Sequence, residues 1–246
     1  MQYVAVSALS HDGLVREHNE DSLVAGPWTL CASTTLTPQT IYFPPGDPLL
    51  VAVADGLGGH PAGELASALA VRRLAQVGHA LADTDAVRKA LESCNELIYA
   101  ESEYDRARVA MGCTVAGIVL VEDELIAFNV GDSRVYAVEP DGLTRLSTDD
   151  NEPAAPGQRR SSVVTQTLGG SFEREPIEPH LSSRPLDGGA SYLICTDGLT
   201  DALDEDAITA ILREHTGGRA TFELWKATIE AGAPDNVTIA LVEPEW

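Results

Sequence analysis

Apolar runs of strand length follow closely on one another in the middle of the chain, and this grouping limits the fold more than any other feature. The runs cover residues 113–121, 125–130 and 135–138, with turn-forming residues at 122–123 and 140–142. Short connections favour antiparallel pairing, because two parallel strands need a crossover of about a dozen residues or more between them. The sequence therefore predicts a meander of antiparallel strands here.

Helical patterns precede and follow these runs. Apolar side chains recur with helical spacing over residues 62–70 and again over residues 87–98. Further strand-like runs cover residues 49–54, 192–195 and 237–242, and further helical patterns cover residues 208–212 and 222–229. Because helices and strands are grouped and do not alternate regularly, the pattern predicts an α+β fold in which helices cover antiparallel sheet. A parallel doubly wound sheet is disfavoured.

Two segments have no periodic pattern and are predicted to be irregular. Residues 27–48 are rich in proline, and residues 147–162 combine polar, proline and arginine residues. The second segment has two open interpretations, a short mobile flap or a plain solvated loop. No internal repeat and no linker divides the chain, so residues 1–246 are expected to form a single catalytic domain.

The charge balance excludes some classes of partner. The chain has 38 acidic and 16 basic side chains, for a formal net charge of −22. Such a surface repels a phosphate backbone, so no nucleic-acid partner is expected. The four cysteines are scattered without a C-x-x-C pair, and no apolar run approaches a membrane span or a secretory leader. We expect a cytoplasmic protein that does not bind membranes and is a monomer.

Aspartates stand at the ends of the predicted strands. Asp55, Asp132 and Asp197 follow apolar runs, and Asp235 precedes one. Strand ends hold side chains rigidly, but several carboxylates brought together repel one another unless cations neutralise them. Ligands that are all oxygen suit Mg²⁺ or Mn²⁺ better than zinc.

Each aspartate has a simpler interpretation when it is taken alone. Asp-Gly is a common turn dipeptide, and aspartate often caps a helix. The glycine-rich stretch at residues 55–64 joins a strand to a helix, as nucleotide-binding loops do. Its glycine spacing fails G-x-G-x-x-G, because Pro61 occupies the last position, and the chain contains no G-K-[ST].

Short motifs along nearly the whole chain, taken in order, point to a known family. They are Arg16-Glu17-His18-Asn19-Glu20-Asp21, Asp55-Gly56-Leu57-Gly58-Gly59-His60, Gly112-Cys113-Thr114, Asn129-Val130-Gly131-Asp132, Thr196-Asp197-Gly198 and Pro234-Asp235-Asn236. The sequence resembles the protein phosphatase 2C family of metal-dependent serine/threonine phosphatases, particularly its bacterial members. This resemblance implies a four-layer α-β-β-α sandwich, with two antiparallel sheets packed face to face and helices outside.

The resemblance also implies a set of metal ligands: Glu20, Asp21, Asp55, Gly56 through its carbonyl, Asp132, Asp197 and Asp235. Asp55 would bridge two Mg²⁺ or Mn²⁺ ions, and Asp197 and Asp235 would complete the first site. Glu20 and Asp21 would approach the second ion directly or through its waters. Asp132, with Asp197, matches the position of a third, weaker metal in bacterial members.

Arg16 matches the position at which the family binds phosphate, and a planar guanidinium suits two phosphate oxygens. The alternative is a surface ion pair with Glu17 or Glu20. Asn236 would orient Asp235. Two cations roughly 3.5–4 Å apart activate a shared water, so the resemblance implies direct attack of a metal-bridging hydroxide on phosphoserine or phosphothreonine.

Some features leave alternatives open. Leu57 stands where many eukaryotic members have a histidine that protonates the leaving group, so the acid is either a metal-bound water or His60. His60 is equally consistent with a structural role.

Arg159 and Arg160 are candidate contacts for acidic or phosphorylated substrates. The expected partners are phosphorylated proteins, including a serine/threonine kinase or that kinase's substrates. The rival hypothesis is a non-catalytic module that keeps the fold and senses phosphorylated partners or metal.

Overall fold

Antiparallel strands form two large sheets in the computed structural model, which describes residues 2–57, 62–105, 108–153, 161, 163–186 and 189–245. The strands in chain order are β1 (Tyr3–His11), β2 (Ser22–Ala25), β3 (Trp28–Cys31), β4 (Gln39–Phe43), β5 (Leu49–Ala54), β6 (Gly112–Cys113), β7 (Val115–Val121), β8 (Glu124–Val130), β9 (Arg134–Glu139), β10 (Gly142–Arg145), β11 (Leu168–Gly169), β12 (His180–Pro185), β13 (Ser191–Cys195) and β14 (Val237–Glu245). The helices are α1 (Gly63–Val77), α2 (Thr84–Tyr104), α3 (Asp197–Ala202), α4 (Glu205–Glu214) and α5 (Gly217–Glu230).

Each large sheet has six strands. One has the order β10-β9-β13-β14-β1-β4 and the other β12-β8-β7-β5-β2-β3, and a small ladder joins β6 to β11. All pairings between these strands are antiparallel. The consecutive strands β7 and β8 pair directly with each other, as their short connection predicts. The predicted meander does not extend to residues 135–138, because β9 lies in the other sheet, between β10 and β13.

Alternation along β5 shows how the layers are held together. Leu49, Val51 and Val53 face the core between the two sheets. The residues between them, including Leu50 and Ala52, face the core under α1 and α2. A strand that is buried on both faces has apolar residues at every position. This is why polar and apolar residues do not alternate along residues 49–54.

A third core lies between the first sheet and the helices α3, α4 and α5, where Leu199, Ile208 and Leu224 pack against residues of that sheet. The order of layers is therefore helix, sheet, sheet, helix. This confirms the predicted α+β fold and its four-layer sandwich.

Some local predictions were wrong. Residues 27–48 are not uniformly irregular, since β3 and β4 lie within them. Both strands are only partly buried at sheet edges, so they lack the apolar signature of inner strands. The apolar run at residues 113–121 is interrupted at Thr114, whose backbone amide bonds the Asp55 carbonyl at 2.9 Å.

The segment at 147–162 is described only in part, because residues 154–160 and 162 lie outside the described ranges. Its first residues are tied to β8. Asn129 Nδ2 donates to the Thr148 carbonyl at 2.7 Å, and the Thr148 amide donates to Asn129 Oδ1 at 3.0 Å. The beginning of the predicted flap is thus anchored to the sheet. In the ranges that the structure covers, no helix combines the length and apolar character that a membrane crossing requires.

Candidate metal and phosphate site

Asp55 lies directly after β5, and backbone bonds on both sides fix its position. The Leu57 amide donates to the Gly112 carbonyl at 3.0 Å, and Gly56 forms a bridge with Cys113. A Cβ on Gly56 would lie 2.5 Å from the Gly63 carbonyl and 2.8 Å from the Glu20 carbonyl. Only glycine allows the start of α1 and the Glu20 segment to approach this closely.

Asp21 is the most deeply buried acid of the site, with no side-chain exposure. Its Oδ2 accepts a hydrogen bond of 2.9 Å from the Thr196 hydroxyl. Its Oδ1 is also buried and accepts no hydrogen bond from any residue in the described ranges. Burial raises the pKa of Asp21 to about 7, assisted by the charge of Asp235 and opposed by hydrogen bonds from Thr238 and Thr196. A buried oxygen without a partner is costly, and a bound cation would satisfy it.

Several carboxylates converge on Asp55. Desolvation raises its pKa well above the ordinary range, and repulsion by Asp21, Asp197, Asp235 and Asp132 raises it further, in that order. Asp55 itself is partly open at the mouth of the site, although the surrounding protein strips water from its carboxylate. Like charges at this density favour either protonation or a bound cation. The donor set is all carboxylate oxygen, which fits Mg²⁺ or Mn²⁺.

Asp132 lies on a tight turn after β8. It is 2% exposed, and Asn151 Nδ2 donates to its Oδ2 at 3.0 Å. Gly131 takes a φ of 96°, a left-handed conformation that glycine adopts without strain.

Asp197 and Asp235 are carried by segments that press against each other. A Cβ on Gly198 would lie 1.9 Å from the Asn236 carbonyl oxygen. No side chain fits in that gap, so the glycine after Asp197 fixes the separation between the two aspartate-bearing segments.

Arg16 lies at the mouth of the site. Its Nη2 donates to Asp235 Oδ2 at 2.7 Å, and the two side chains are 39% and 32% exposed. This hydrogen bond is the main reason that the pKa of Arg16 is raised. The structure does pair Arg16 with an acid, but the partner is Asp235, whereas the alternative from sequence named Glu17 or Glu20.

Asn236 contacts more than one segment. Its side-chain oxygen accepts from the Glu20 amide at 2.9 Å, and its Nδ2 donates to the Asp12 and His18 carbonyls at 3.0 Å each. The contact with the Asp235 carboxylate comes from the Asn236 backbone amide, at 2.8 Å. The side chain therefore positions the segment that carries Glu20 and Asp21.

Three of the candidate residues named from the sequence lie outside the described residues: His60, Arg159 and Arg160. Among the residues that are described, no three Asp, Glu, His or Cys side chains are already arranged as a complete metal-binding group. The Asp235 carboxylate, in particular, is turned toward Arg16.

Sequence reasoning missed residues that hold the carboxylates in place. Thr196 bonds Asp21, and Asn151 bonds Asp132. Asn19 Oδ1 accepts from the Asp21 amide at 3.0 Å, while its Nδ2 donates to Ser10 Oγ at 2.8 Å. The sequence feature that could have identified two of them is their position, because Thr196 and Asn19 lie within one or two residues of predicted ligands.

The chain matches known proteins over most of its length. The family model for protein phosphatase 2C matches residues 41–235. The serine/threonine protein phosphatase PstP of Mycobacterium tuberculosis is 30% identical over 256 residues, covering 96% of this chain and 44% of PstP. The serine/threonine phosphatase stp of Listeria monocytogenes is 28% identical, covering 94% of this chain and 92% of that protein.

The fold also matches solved structures. The crystal structure of the catalytic domain of PstP in complex with two manganese ions superposes with a TM-score of 0.80. That domain is 28% identical, and the match covers 98% of this chain and 99% of the other. The present chain thus spans less than half of full-length PstP but nearly all of that catalytic domain. From the match at residues 41–235, the relatives and the shared architecture, we conclude that the chain belongs to the protein phosphatase 2C family.

Proposed function

We propose that this chain is a metal-dependent protein phosphatase that hydrolyses phosphoserine and phosphothreonine. The observation that supports this most is the convergence of carboxylates on Asp55, whose pKa is raised by burial and then by the charges of four other aspartates. Because the chain belongs to the protein phosphatase 2C family, we interpret these carboxylates as metal ligands. An arginine within hydrogen-bonding distance of one of these carboxylates adds a phosphate-binding group to the same site.

The residues assigned to hold two Mg²⁺ or Mn²⁺ ions are Glu20, Asp21, Asp55, Gly56, Asp197 and Asp235, with Asp132 and Asp197 at a third, weaker position. The manganese pair in the PstP catalytic domain supports this assignment. When bound, the two cations activate a water at neutral pH and offset charge on the transferring phosphoryl group. Asp55 lies at the centre of the set, where one carboxylate can serve two ions.

Buried partners hold these ligands in position. Thr196 fixes one oxygen of Asp21, and the other oxygen accepts no hydrogen bond from any described residue. Asn236 fixes the Glu20 segment through its backbone. Ligands that are held in advance lose less conformational entropy when the metal binds.

Arg16 is assigned two alternating partners. It pairs with Asp235 at 2.7 Å. If Asp235 turned toward a bound cation, the guanidinium would be free to bind two oxygens of a phosphate. Both groups are about one-third exposed, so this exchange needs only side-chain rotation.

The substrates are proposed to be phosphorylated proteins, including a serine/threonine kinase or that kinase's targets. PstP and stp carry serine/threonine phosphatase in their names, which supports this class. The net charge of −22 would repel anionic substrates elsewhere on the surface, so the cations and Arg16 would provide the local attraction.

The direct test is hydrolysis of a phosphothreonine peptide with and without Mn²⁺. We expect turnover with the metal, loss of turnover with chelator, and a rate at least about 100-fold lower in Asp55→Asn and Asp197→Asn. Glu214→Asn, on the distant helix α4, removes an exposed carboxylate and should leave the rate unchanged. Turnover that persists in Asp55→Asn would overturn the assigned mechanism. Mn²⁺ binding without any turnover would favour a non-catalytic phosphoprotein sensor.

A further inference from the structure

A polar cleft opens beside the candidate site. We propose that this cleft seats the polypeptide of the phosphorylated substrate and selects a basic side chain about three residues from the phosphoserine or phosphothreonine. The inference rests on the proposed phosphatase function and narrows its substrate class.

The cleft has a volume of about 530 Å³ and is formed by Asp150 and by residues from the segments 164–171 and 175–180. Its lining includes the hydrogen-bonding side chains of Gln166, Thr167, Ser171 and His180. A cleft of this size and polarity suits an extended peptide better than an apolar small molecule.

A short ladder connects the cleft to Asp55. Gly56 forms a bridge with Cys113, and Cys113 pairs on its other side with Leu168 in β11. The cleft wall therefore lies two strand spacings from the Asp55 segment, or roughly 10 Å at about 4.8 Å per spacing. Leu57 extends toward the same wall, because a Cβ on Gly170 would lie 3.1 Å from Leu57 Cδ1.

A second connection leads to Asp132. The Gly131 amide donates to Asp150 Oδ2 at 2.8 Å, and the Asp150 amide donates back to the Gly131 carbonyl at 3.1 Å. Asn151, the next residue, bonds Asp132. One end of the cleft is thus fixed to the loop that carries a predicted metal ligand.

The remaining walls are held by hydrogen bonds of their own. Asn95 is 3% exposed, accepts from the Gly169 amide at 2.8 Å and donates to the Glu175 carbonyl at 2.9 Å. Gln166 Nε2 donates to Asp150 Oδ2 at 2.9 Å, and its Oε1 accepts from the Glu178 amide. A cleft that is formed before binding costs less to occupy.

The charge of the cleft indicates what it accepts. The Asp150 carboxylate is already bonded to Gln166 and His180. Glu175 and Glu178 are exposed, and neither forms an ion pair with a residue in the described ranges. These two carboxylates would repel an acidic segment and attract an arginine or lysine.

Distance sets the position of that basic residue. An extended chain rises about 3.3 Å per residue, so roughly 10 Å corresponds to about three residues. The roughly 10 Å reaches the cleft wall at β11, so a phosphoresidue at the metal site would place a side chain about three residues away inside the cleft, whose lining includes Glu175 and Glu178.

The test uses phosphothreonine peptides in an alanine background, with a single arginine moved from position −4 to +4, assayed with Mn²⁺. We expect kcat/KM to rise about three- to tenfold, relative to the all-alanine peptide, when the arginine lies two to four residues away on one side. In Glu175→Gln/Glu178→Gln this ratio should fall to about one. The control Glu214→Gln/Glu230→Gln removes the same charge from α4 and α5 and should keep the ratio.

An arginine gain that is equal at all positions, or that survives in Glu175→Gln/Glu178→Gln, would overturn the proposal, because it would reflect only the net charge of the protein. The small substrate p-nitrophenyl phosphate distinguishes failure of the phosphatase function from failure of the cleft proposal. If neither it nor any peptide is hydrolysed with Mn²⁺, the phosphatase function itself fails. If it is hydrolysed and arginine has no effect, only the cleft proposal fails.

Discussion

The hydroxyl of Thr196 donates a 2.9 Å hydrogen bond to Oδ2 of Asp21, across 175 residues of sequence. Both side chains are fully buried. The contact joins the N-terminal motif to the end of β13, and it leaves Asp21 Oδ1 buried without a hydrogen bond from any described residue.

Thr196→Val is expected to weaken Mn²⁺ binding about 10- to 100-fold, because it removes the group that orients Asp21. Isothermal titration calorimetry measures this directly. Thr196→Ser keeps the hydroxyl and should restore most of the affinity. Thr228→Val removes another buried hydroxyl, one that bonds within α5, and should leave Mn²⁺ affinity unchanged. Equal affinities in Thr196→Val and the wild type would show that the hydrogen bond has no positioning role.

The stability of the metal-free protein should fall as pH rises. Folding raises the pKa of Asp21 to about 7, whereas an unfolded aspartate titrates near 3.9. Between about pH 4 and pH 7 the folded state therefore binds more protons than the unfolded state, so stability declines across this window. The pKa of Asp55 is also raised well above its ordinary value, mainly by burial, so its contribution to the decline has the same sign.

Differential scanning calorimetry in chelator at several values from pH 5 to pH 8 tests this slope. Mn²⁺ should reverse the trend, because cations displace the protons and bind better as pH rises. Asp21→Asn should flatten the slope in chelator. A Tm that rises from pH 5 to pH 8 without metal would contradict the prediction.

Arg16→Ala should separate phosphate binding from metal binding. Loss of the guanidinium should lower kcat/KM about 100-fold on a phosphopeptide. Mn²⁺ affinity should stay the same or increase, because Arg16 competes with the cations for Asp235. Arg219→Ala, which removes an exposed arginine from α5, is the control for lost charge. If Arg16→Ala instead weakened Mn²⁺ binding severely, Arg16 would be a structural support for the metal ligands.

Gly198→Ala should destabilise the protein by about 1–3 kcal/mol or more, because the added Cβ would overlap the Asn236 carbonyl oxygen. Gly218→Ala is a matched control at the start of α5, where the nearest atom is a side-chain hydroxyl at 3.3 Å. Urea denaturation of both variants gives the comparison. Equal midpoints would show that the segments carrying Asp197 and Asp235 can move apart freely.

The sequence predicts the inner strands well because burial on both faces leaves an uninterrupted apolar run, as at residues 49–54. Edge strands such as β3 and β4 carry no such run, so the sequence predicts an irregular segment where the fold has two strands. Within the site, the motifs identify the aspartates, but their relative placement depends on contacts between distant segments. The Arg16–Asp235 pair joins residues 219 positions apart, and no local pattern encodes it.

The supporting residues illustrate the same limit. Thr196 belongs to the Thr196-Asp197-Gly198 motif, but neither this motif nor the sequence around Asn151 indicates which aspartate each residue bonds. Their roles follow from where the fold brings Asp21 and Asp132. The sequence predicts that Asn236 orients Asp235, and its backbone amide does bond the Asp235 carboxylate. Its side chain contacts the backbone of Asp12, His18 and Glu20.

The central claim is that Asp55 bridges two cations within one cluster of carboxylates. Anomalous diffraction from crystals grown with Mn²⁺ tests it most directly, since each ion gives its own peak. Two strong peaks are predicted within bonding distance of the Asp55 carboxylate, with Asp235 turned away from Arg16 toward one of them, and any third, weaker peak should lie beside Asp132 and Asp197. A single peak, or strong peaks that do not contact Asp55, would contradict it.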